Sequence, residues 1–147
     1  MNEGGYRKLE IYKMSHELGV RVHRLTLELP KFEMFEEGGQ ARRSSKSVSS
    51  NIVEGYALRK YKNEYLHYLY RAYGSSEETL EHLRYLFETG SMSEKDTYEE
   101  LSREYKKLNA MMFNYIRFVE QSFDTPAFLK EEEAAYSGDS SNMNLEP

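Results

Sequence analysis

The 147-residue chain has no cysteine, no tryptophan and only three prolines. Without cysteine there is no disulfide, no thiol nucleophile and no thiolate metal ligand, in keeping with a reducing compartment. The prolines are Pro30, Pro126 and Pro147, so between the first two only glycine pairs and caps can interrupt a helix. No apolar run is long enough to span a bilayer. Residues 1–12 lack the basic, apolar and small-residue regions of a secretory signal. The expectation is a cytoplasmic protein with no membrane partner. The two-residue alternation of half-buried strands is also missing, as are a G-x-S-x-G elbow and a phosphate-cradling glycine loop.

Charge is present in both signs, but unevenly. The chain carries −5 overall. After Glu120 come Asp124, Glu131, Glu132, Glu133, Asp139 and Glu146 against Lys130 alone, which also makes −5. Residues 1–120 are therefore balanced, so any binding field in the body must come from local clustering. The tail 121–147 has no sustained apolar stripe. Its composition predicts disorder, with Phe123, Phe128 and Leu129 as docking points.

Helical periodicity dominates the rest. Tyr98, Leu101, Tyr105, Leu108, Met112, Tyr115 and Val119 follow at alternating spacings of three and four, which puts them on one helix face. Ser93 is the expected N-cap, with Asp96 closing a capping box. Leu66, Leu69, Tyr73, Ser76, Leu80, Leu83 and Phe87 repeat the pattern upstream. That helix begins near Asn63 and stops at Gly90, a natural C′ residue. Both have about 27 residues, or about 40 Å, and the short link between them predicts an antiparallel hairpin. A first helix, from Leu9 to Leu29, carries Ile11, Met14, Leu18, Val22, Leu25 and Leu29 and stops at Pro30. The second, from Glu36 to Ala57, has only Ala41, Ser45, Val48 and Ile52 as a seam. Its middle, Ser44 to Ser50, can be read as a serine-rich loop or as a helix whose small side chains admit a close neighbour. The helix is preferred, because so long a loop is unusual inside a compact domain. The fold class that follows is all-α: an antiparallel up-down four-helix bundle over residues 1–120.

Helices three and four are apolar over more than one seam. Tyr61, Tyr65, Tyr68 and Ala72 form a second stripe on the third, and Met111, Tyr115 and Phe118 on the fourth. A lone bundle needs one stripe per helix, so the surplus predicts self-association through Tyr61, Tyr65, Tyr68, Met111 and Phe118. The alternative is that the tyrosines snorkel, with their hydroxyls in water.

Chemistry is sparse. A di-iron bundle needs two Glu-x-x-His pairs. Glu64 and His67 make one, but His16, His23 and His82 follow Lys13, Val20 and Thr79 at that offset. His67 also stands one residue off the core seam, as a solvated histidine would. No metal, cofactor or catalytic residue is expected. One basic cluster remains: Arg42, Arg43, Lys46 and Arg59, with Lys60 and Lys62 following and Tyr56, Tyr61 and Tyr65 nearby. Arginine beside aromatics is the composition of a single-stranded nucleic-acid platform. The competing reading pairs Arg42 and Arg43 with carboxylates such as Glu54. Repeated around a ring, even a weak patch gains avidity.

Gln40-Ala41-Arg42-Arg43 and Ser47-Val48-Ser49-Ser50-Asn51-Ile52-Val53-Glu54-Gly55 resemble the pattern Q-x-R-R-a-x-x-S-I-x-S-N-I-a-E-G. Leu29-Pro30 with Glu33 and Phe35, Glu64 and Leu69, Ala72-x-Gly74-Ser75-x-x-Glu78, and Tyr6 to Tyr12 agree at the flanks. The pattern is that of the four-helix-bundle 23S ribosomal RNA intervening-sequence proteins, and the resemblance covers residues 6–120. It implies a bacterial up-down bundle and a homopentameric ring, often encoded inside insertions in the large ribosomal RNA gene. A related basic branch, the accessory variability determinant of diversity-generating retroelements, works with nucleic acid. This chain departs from the pattern at Glu36-Glu37, at Ser44-Ser45, and at Ser49, where proline is common. The role inferred for Asn51, Glu54 and Gly55 is structural: the first two share a helix face, and Gly55 permits close packing or a helix exit.

Three functions are consistent with the sequence. The first is a non-enzymatic, self-assembling scaffold or adaptor. The second is an accessory protein that binds RNA or DNA through Arg42, Arg43, Lys46 and Arg59. The weakest is a metal-dependent enzyme.

Overall fold

The computed structural model describes residues 4–122. The expectations for the tail, including docking by Phe123, Phe128 and Leu129, lie outside the described residues. A short 3-10 helix, Gly5–Lys8, leads into α1 (Glu10–Leu27). A second one, Lys31–Met34, precedes α2 (Glu37–Ala57), followed by α3 (Lys62–Glu88) and α4 (Lys95–Gln121). Each helix packs antiparallel on the next and α4 closes back on α1, giving the expected up-down bundle. The α2–α3 interface is the most extensive and the α1–α4 interface the thinnest.

The serine-rich stretch is helical throughout. Ser44, Ser45, Ser49 and Ser50 each fold the hydroxyl back onto the carbonyl three residues earlier, at 3.1–3.3 Å. Their hydroxyls are thereby satisfied without solvent, which lets Ser44 and Ser45 go into the core. Small side chains bring the neighbours close. A Cβ added at Gly19 of α1 would lie 3.5 Å from the Ser45 carbonyl oxygen. Across the other side, the Ser44 and Thr79 hydroxyls meet at 2.8 Å and those of Ser47 and Ser75 at 3.0 Å. Ser76 donates to Asn109 Oδ1, and Asn109 Nδ2 donates to Glu77 Oε1 at 2.8 Å. A ladder of hydrogen-bonded small polar groups therefore crosses from α2 through α3 to α4.

Helix boundaries follow local chemistry. Gly38 and Gly39 lie inside the first turn of α2, where a Cβ would come within 2.6 Å of Glu33 O and 2.9 Å of Met34 O. The buried Glu33 carboxylate accepts the Gly38 N–H and the Ser91 hydroxyl, each at 2.8 Å. It caps α2 and ties it to the α3–α4 turn, as an anion at a helix N-terminus should. Gly90 takes φ +86°, the left-handed conformation expected of a C′ residue. Helix four starts later than its serine suggests. Its N-cap is Glu94, because Met92 is drawn into the core and donates its N–H to Leu86 O at 2.9 Å. Ser93 is left exposed in the loop.

The seams of α1, α2 and α4 largely match the sequence pattern: Ile11, Leu18 and Val22, then Ala41, Ser45, Val48 and Ile52, then Leu101, Tyr105, Leu108, Met112 and Val119 are all buried. The α3 seam is rotated. Tyr65, Leu69, Ala72, Ser76, Thr79, Leu83 and Leu86 are buried, while Leu66, Tyr73, Leu80 and Phe87 are half-buried. The cause is α2, whose Gly55 and Ser44 draw Tyr65 and Thr79 inward.

Gly55 and Gly74 make a contrasting pair. A Cβ at Gly55 would stand 2.8 Å from Tyr68 Cβ and 3.2 Å from Tyr65 Cδ1, whereas at Gly74 it would meet nothing within 4 Å. In denaturant melts, Gly55→Ala should cost about 1–3 kcal/mol by forcing α2 from α3. Gly74→Ala should stabilise by about 0.5–1 kcal/mol, as alanine does in a helix interior. Equal effects of the two would contradict the packing described.

Candidate interaction surfaces

At the end where α1 and α3 begin and α2 and α4 finish, aromatic rings cross the whole bundle. Tyr6 contacts Tyr12 and Tyr56, Tyr56 contacts Tyr65, and Tyr65 contacts Tyr115, edge to face with centroids 4.8–6.4 Å apart. Such geometry suits the ring quadrupoles. The Tyr65 and Tyr115 hydroxyls share a hydrogen bond of 2.7 Å. The stripe on α3 predicts that Tyr65 faces outward with Tyr61 and Tyr68, but it is fully buried within the chain. It is therefore a core residue and offers no surface to a second copy. Tyr61 and Tyr68 are half-buried.

The basic residues singled out by sequence do not form one patch. Arg42 turns back on the 3-10 helix, where Nη2 donates to Met34 O at 2.5 Å. Arg59 lies at the other end of α2, about 25 Å along the helix axis. Its guanidinium stacks 4.2 Å from the Tyr56 ring centroid and donates to Tyr56 O at 3.0 Å. Neither Arg42 nor Arg43 pairs with Glu54 or another carboxylate among the described residues. Arg43 and Lys46 are exposed. Lys46 instead lines a groove between α1 and α2 together with His16, His23, Arg24 and Ser49. The α1 half of that groove is invisible to sequence reasoning, since its residues are distant along the chain from α2.

Of the family motif, Asn51 donates to Ser47 O at 2.8 Å and to Ser47 Oγ at 2.9 Å, holding the hydroxyl that bridges to Ser75. Gly55 lies where α2 presses on Tyr65 and Tyr68. Glu54 is exposed.

Apolar surface remains outside the core. On α4, Phe113 and Phe118 are 49% and 50% exposed, and Tyr70 of α3 is 50% exposed. The Tyr70 hydroxyl donates to Glu120 of α4. Met111 is half-buried. At the opposite end Phe32, Met34 and Phe35 project from the 3-10 turn, with Phe35 87% exposed. Sequence reasoning missed Phe32, Met34 and Phe113, because each falls outside a regular second stripe. Among the described residues, no three His, Asp or Glu side chains gather into a group able to hold a metal. Glu64 and His67 are both exposed. His82 Nδ1 hydrogen-bonds the Glu37 carboxylate, linking α3 to the start of α2.

A family model described as "23S rRNA-intervening sequence protein" matches residues 7–114. No curated protein matches the sequence. The chain is similar to a crystal structure of a protein of unknown function from the S23 ribosomal protein family of Bacteroides thetaiotaomicron. The two superpose with a TM-score of 0.66 and 22% identity, over 73% of this chain and 95% of that one. At that identity the likeness establishes the fold.

The tyrosine pair carries a pH signature. Burial pushes the Tyr65 phenol up, with Tyr115 adding to the shift, and burial pushes Tyr115 up to about 12. In the unfolded chain both ionise near 10. Between those values the unfolded state has released protons that the folded state keeps, so stability falls as pH rises through the window. Tyr65→Phe with Tyr115→Phe should make this alkaline decline shallower in melts from about pH 9 to about pH 12, leaving the part that comes from Tyr105, whose phenol is also pushed up by burial. Tyr115→Phe alone should cost about 1–2 kcal/mol at neutral pH, by stranding the Tyr65 hydroxyl.

Proposed function

We propose, since the chain belongs to the family of 23S rRNA-intervening sequence proteins, that it is a non-enzymatic scaffold that assembles with copies of itself. The observation that carries this reading is α4. Its inner face is fully used in the core, yet Phe113 and Phe118 stay half exposed on its two flanks. Tyr70 of α3 adds to the first flank through Glu120, two turns from Phe113 on the same stripe. Apolar surface on opposite flanks of one helix favours a heterologous contact, in which one flank of a subunit meets a different face of the next. Such contacts close into rings, and the family resemblance implies five copies. The site of action is the bacterial cytoplasm, where a ring displays each remaining surface several times over.

Light scattering should give five times the 17.4 kDa chain mass. Phe113→Glu with Phe118→Glu should raise the dissociation constant by at least about a hundredfold, since each substitution places a charge in an apolar contact. A monomeric wild-type protein at micromolar concentration would overturn the reading.

The α1–α2 groove supports a second reading, binding of a nucleic-acid backbone. Arg24, Arg43 and Lys46 have no carboxylate partner among the described residues, and His16 and His23 share the groove. Arg42 and Arg59 leave this candidate set, since both are engaged elsewhere. Binding of single-stranded RNA should weaken steeply with salt. Arg43→Glu with Lys46→Glu should weaken it by about tenfold or more. The log–log salt slope should become shallower by about one for every phosphate that the variant no longer neutralises. An absence of binding at low salt would eliminate this reading.

A further inference from the structure

The groove between α1 and α2 has a volume of about 400 Å³, that of a site for one small ligand. Its charge is one-sided: Arg24 and Lys46 line it, and among the described residues no carboxylate does. The helix period explains this. Glu10 and Glu17 share one stripe of α1 and His16 and His23 another, and the two stripes stand about a third of a turn apart. Gly19 and Val20 supply the small, apolar part of the lining. His16 lies at the end nearer the start of α1, and Tyr12 stacks on its imidazole with centroids 5.7 Å apart and planes inclined by 26°. Tyr12 is one turn earlier and outside the lining, so it backs the imidazole on the side away from the groove. His23 stands about 10 Å further along α1. Its Nδ1 is buried and has no hydrogen-bond partner among the described residues. A buried nitrogen in that state is costly, and a bound group that faces it offsets the cost. From α2, Ser49 Oγ donates to Lys46 O at 3.2 Å, which leaves its lone pairs free to accept.

We propose that this groove holds one whole nucleotide, with the phosphate at Lys46 and Arg24, the base packed on His16 and Val20, and the base edge hydrogen-bonded by His23 Nδ1 and Ser49 Oγ. The proposal rests on the second reading given above and goes beyond it, because binding of a backbone needs only the cations. The remaining features have no use for a phosphate alone. An imidazole backed by a tyrosine and an exposed valine suit the flat, apolar face of a base. His23 Nδ1 donates or accepts according to its tautomer, and the Ser49 hydroxyl accepts. Together they suit a base edge, which presents donors and acceptors side by side. The cations meet the phosphate without competition, since no carboxylate shares the lining. The same chemistry reaches the groove from two sources, a single strand of RNA or a free mononucleotide.

Two single-stranded oligomers with the same number of phosphates, one of RNA and one with abasic sugars throughout, separate base from backbone on the full-length protein. At low salt the RNA should bind at least about tenfold more tightly, as the packing of a base requires. His23→Leu should remove most of that preference and bring the RNA toward the abasic oligomer. It should not lower the melting temperature, because it deletes an unpaired nitrogen and keeps the apolar bulk. His16→Ala, at an exposed position, should cut the preference independently. Equal binding of the two oligomers would overturn the proposal and leave the backbone reading standing, as would a preference that survives both variants. If neither oligomer binds, the backbone reading fails and the free nucleotide decides. Adenylate or uridylate should then shift the His23 ring signals in NMR spectra where ribose phosphate does not. No shift, or an equal shift with ribose phosphate, would overturn the proposal.

Discussion

How closely α2 approaches α3 governs the rest of the molecule. At Gly55 there is no room for a methyl group against Tyr65 and Tyr68, and at Ser44 and Ser47 hydroxyl meets hydroxyl on Thr79 and Ser75. Larger apolar residues at these positions would bury more area but hold the axes apart. The close approach rolls α3 so that Tyr65, Ala72 and Thr79 lie at the centre of the buried face. That roll in turn decides which tyrosines become core and which remain as surface.

A core with this much polar content is costly unless every group is paired. Along the α2–α3–α4 ladder the pairing is local, while the buried Tyr105 hydroxyl has no hydrogen-bond partner among the described residues. Serine hydroxyls return to their own helix, and the cross-helix partners are other small hydroxyls or the Asn109 amide. Such pairs add little net stability but penalise any register in which they are broken. The Glu33 carboxylate does the same at the opposite end, joining the 3-10 turn, the start of α2 and the α3–α4 loop through two hydrogen bonds. The bundle is thus pinned at Glu33, along the hydroxyl ladder and at the Tyr65–Tyr115 hydroxyls, while α1 and α4 remain loosely joined.

That looseness is where interaction surface survives. The α1–α4 seam leaves an apolar groove, α4 carries phenylalanines on both flanks, and the α1–α2 groove gathers arginine, lysine and histidine. The two grooves lie on either side of α1, and Phe118 continues the Met111–Tyr115 stripe that walls the α1–α4 groove.

Much of this was legible in the residues themselves. Four helices, their order, the Gly90 stop and the seams of α1, α2 and α4 follow from three-four spacing, because a helix can bury such residues only on one face. The shared motif singles out Asn51, Glu54 and Gly55; the first binds Ser47 and the last lies against Tyr65 and Tyr68, while Glu54 is exposed. The phase of α3 was not, since the Leu66 and Tyr65 stripes differ by one residue and only the depth of α2's approach selects between them. The binding surfaces were least legible. Arg42, Arg43, Lys46 and Arg59 are neighbours in sequence, but helix rise carries Arg59 to the far end and a backbone carbonyl claims Arg42. The groove that Lys46 does line is completed by His16, His23 and Arg24, brought there by packing between helices. Periodicity along one chain determined which faces are apolar; only the mutual rotation and closeness of the helices decided which side chains were left outside together.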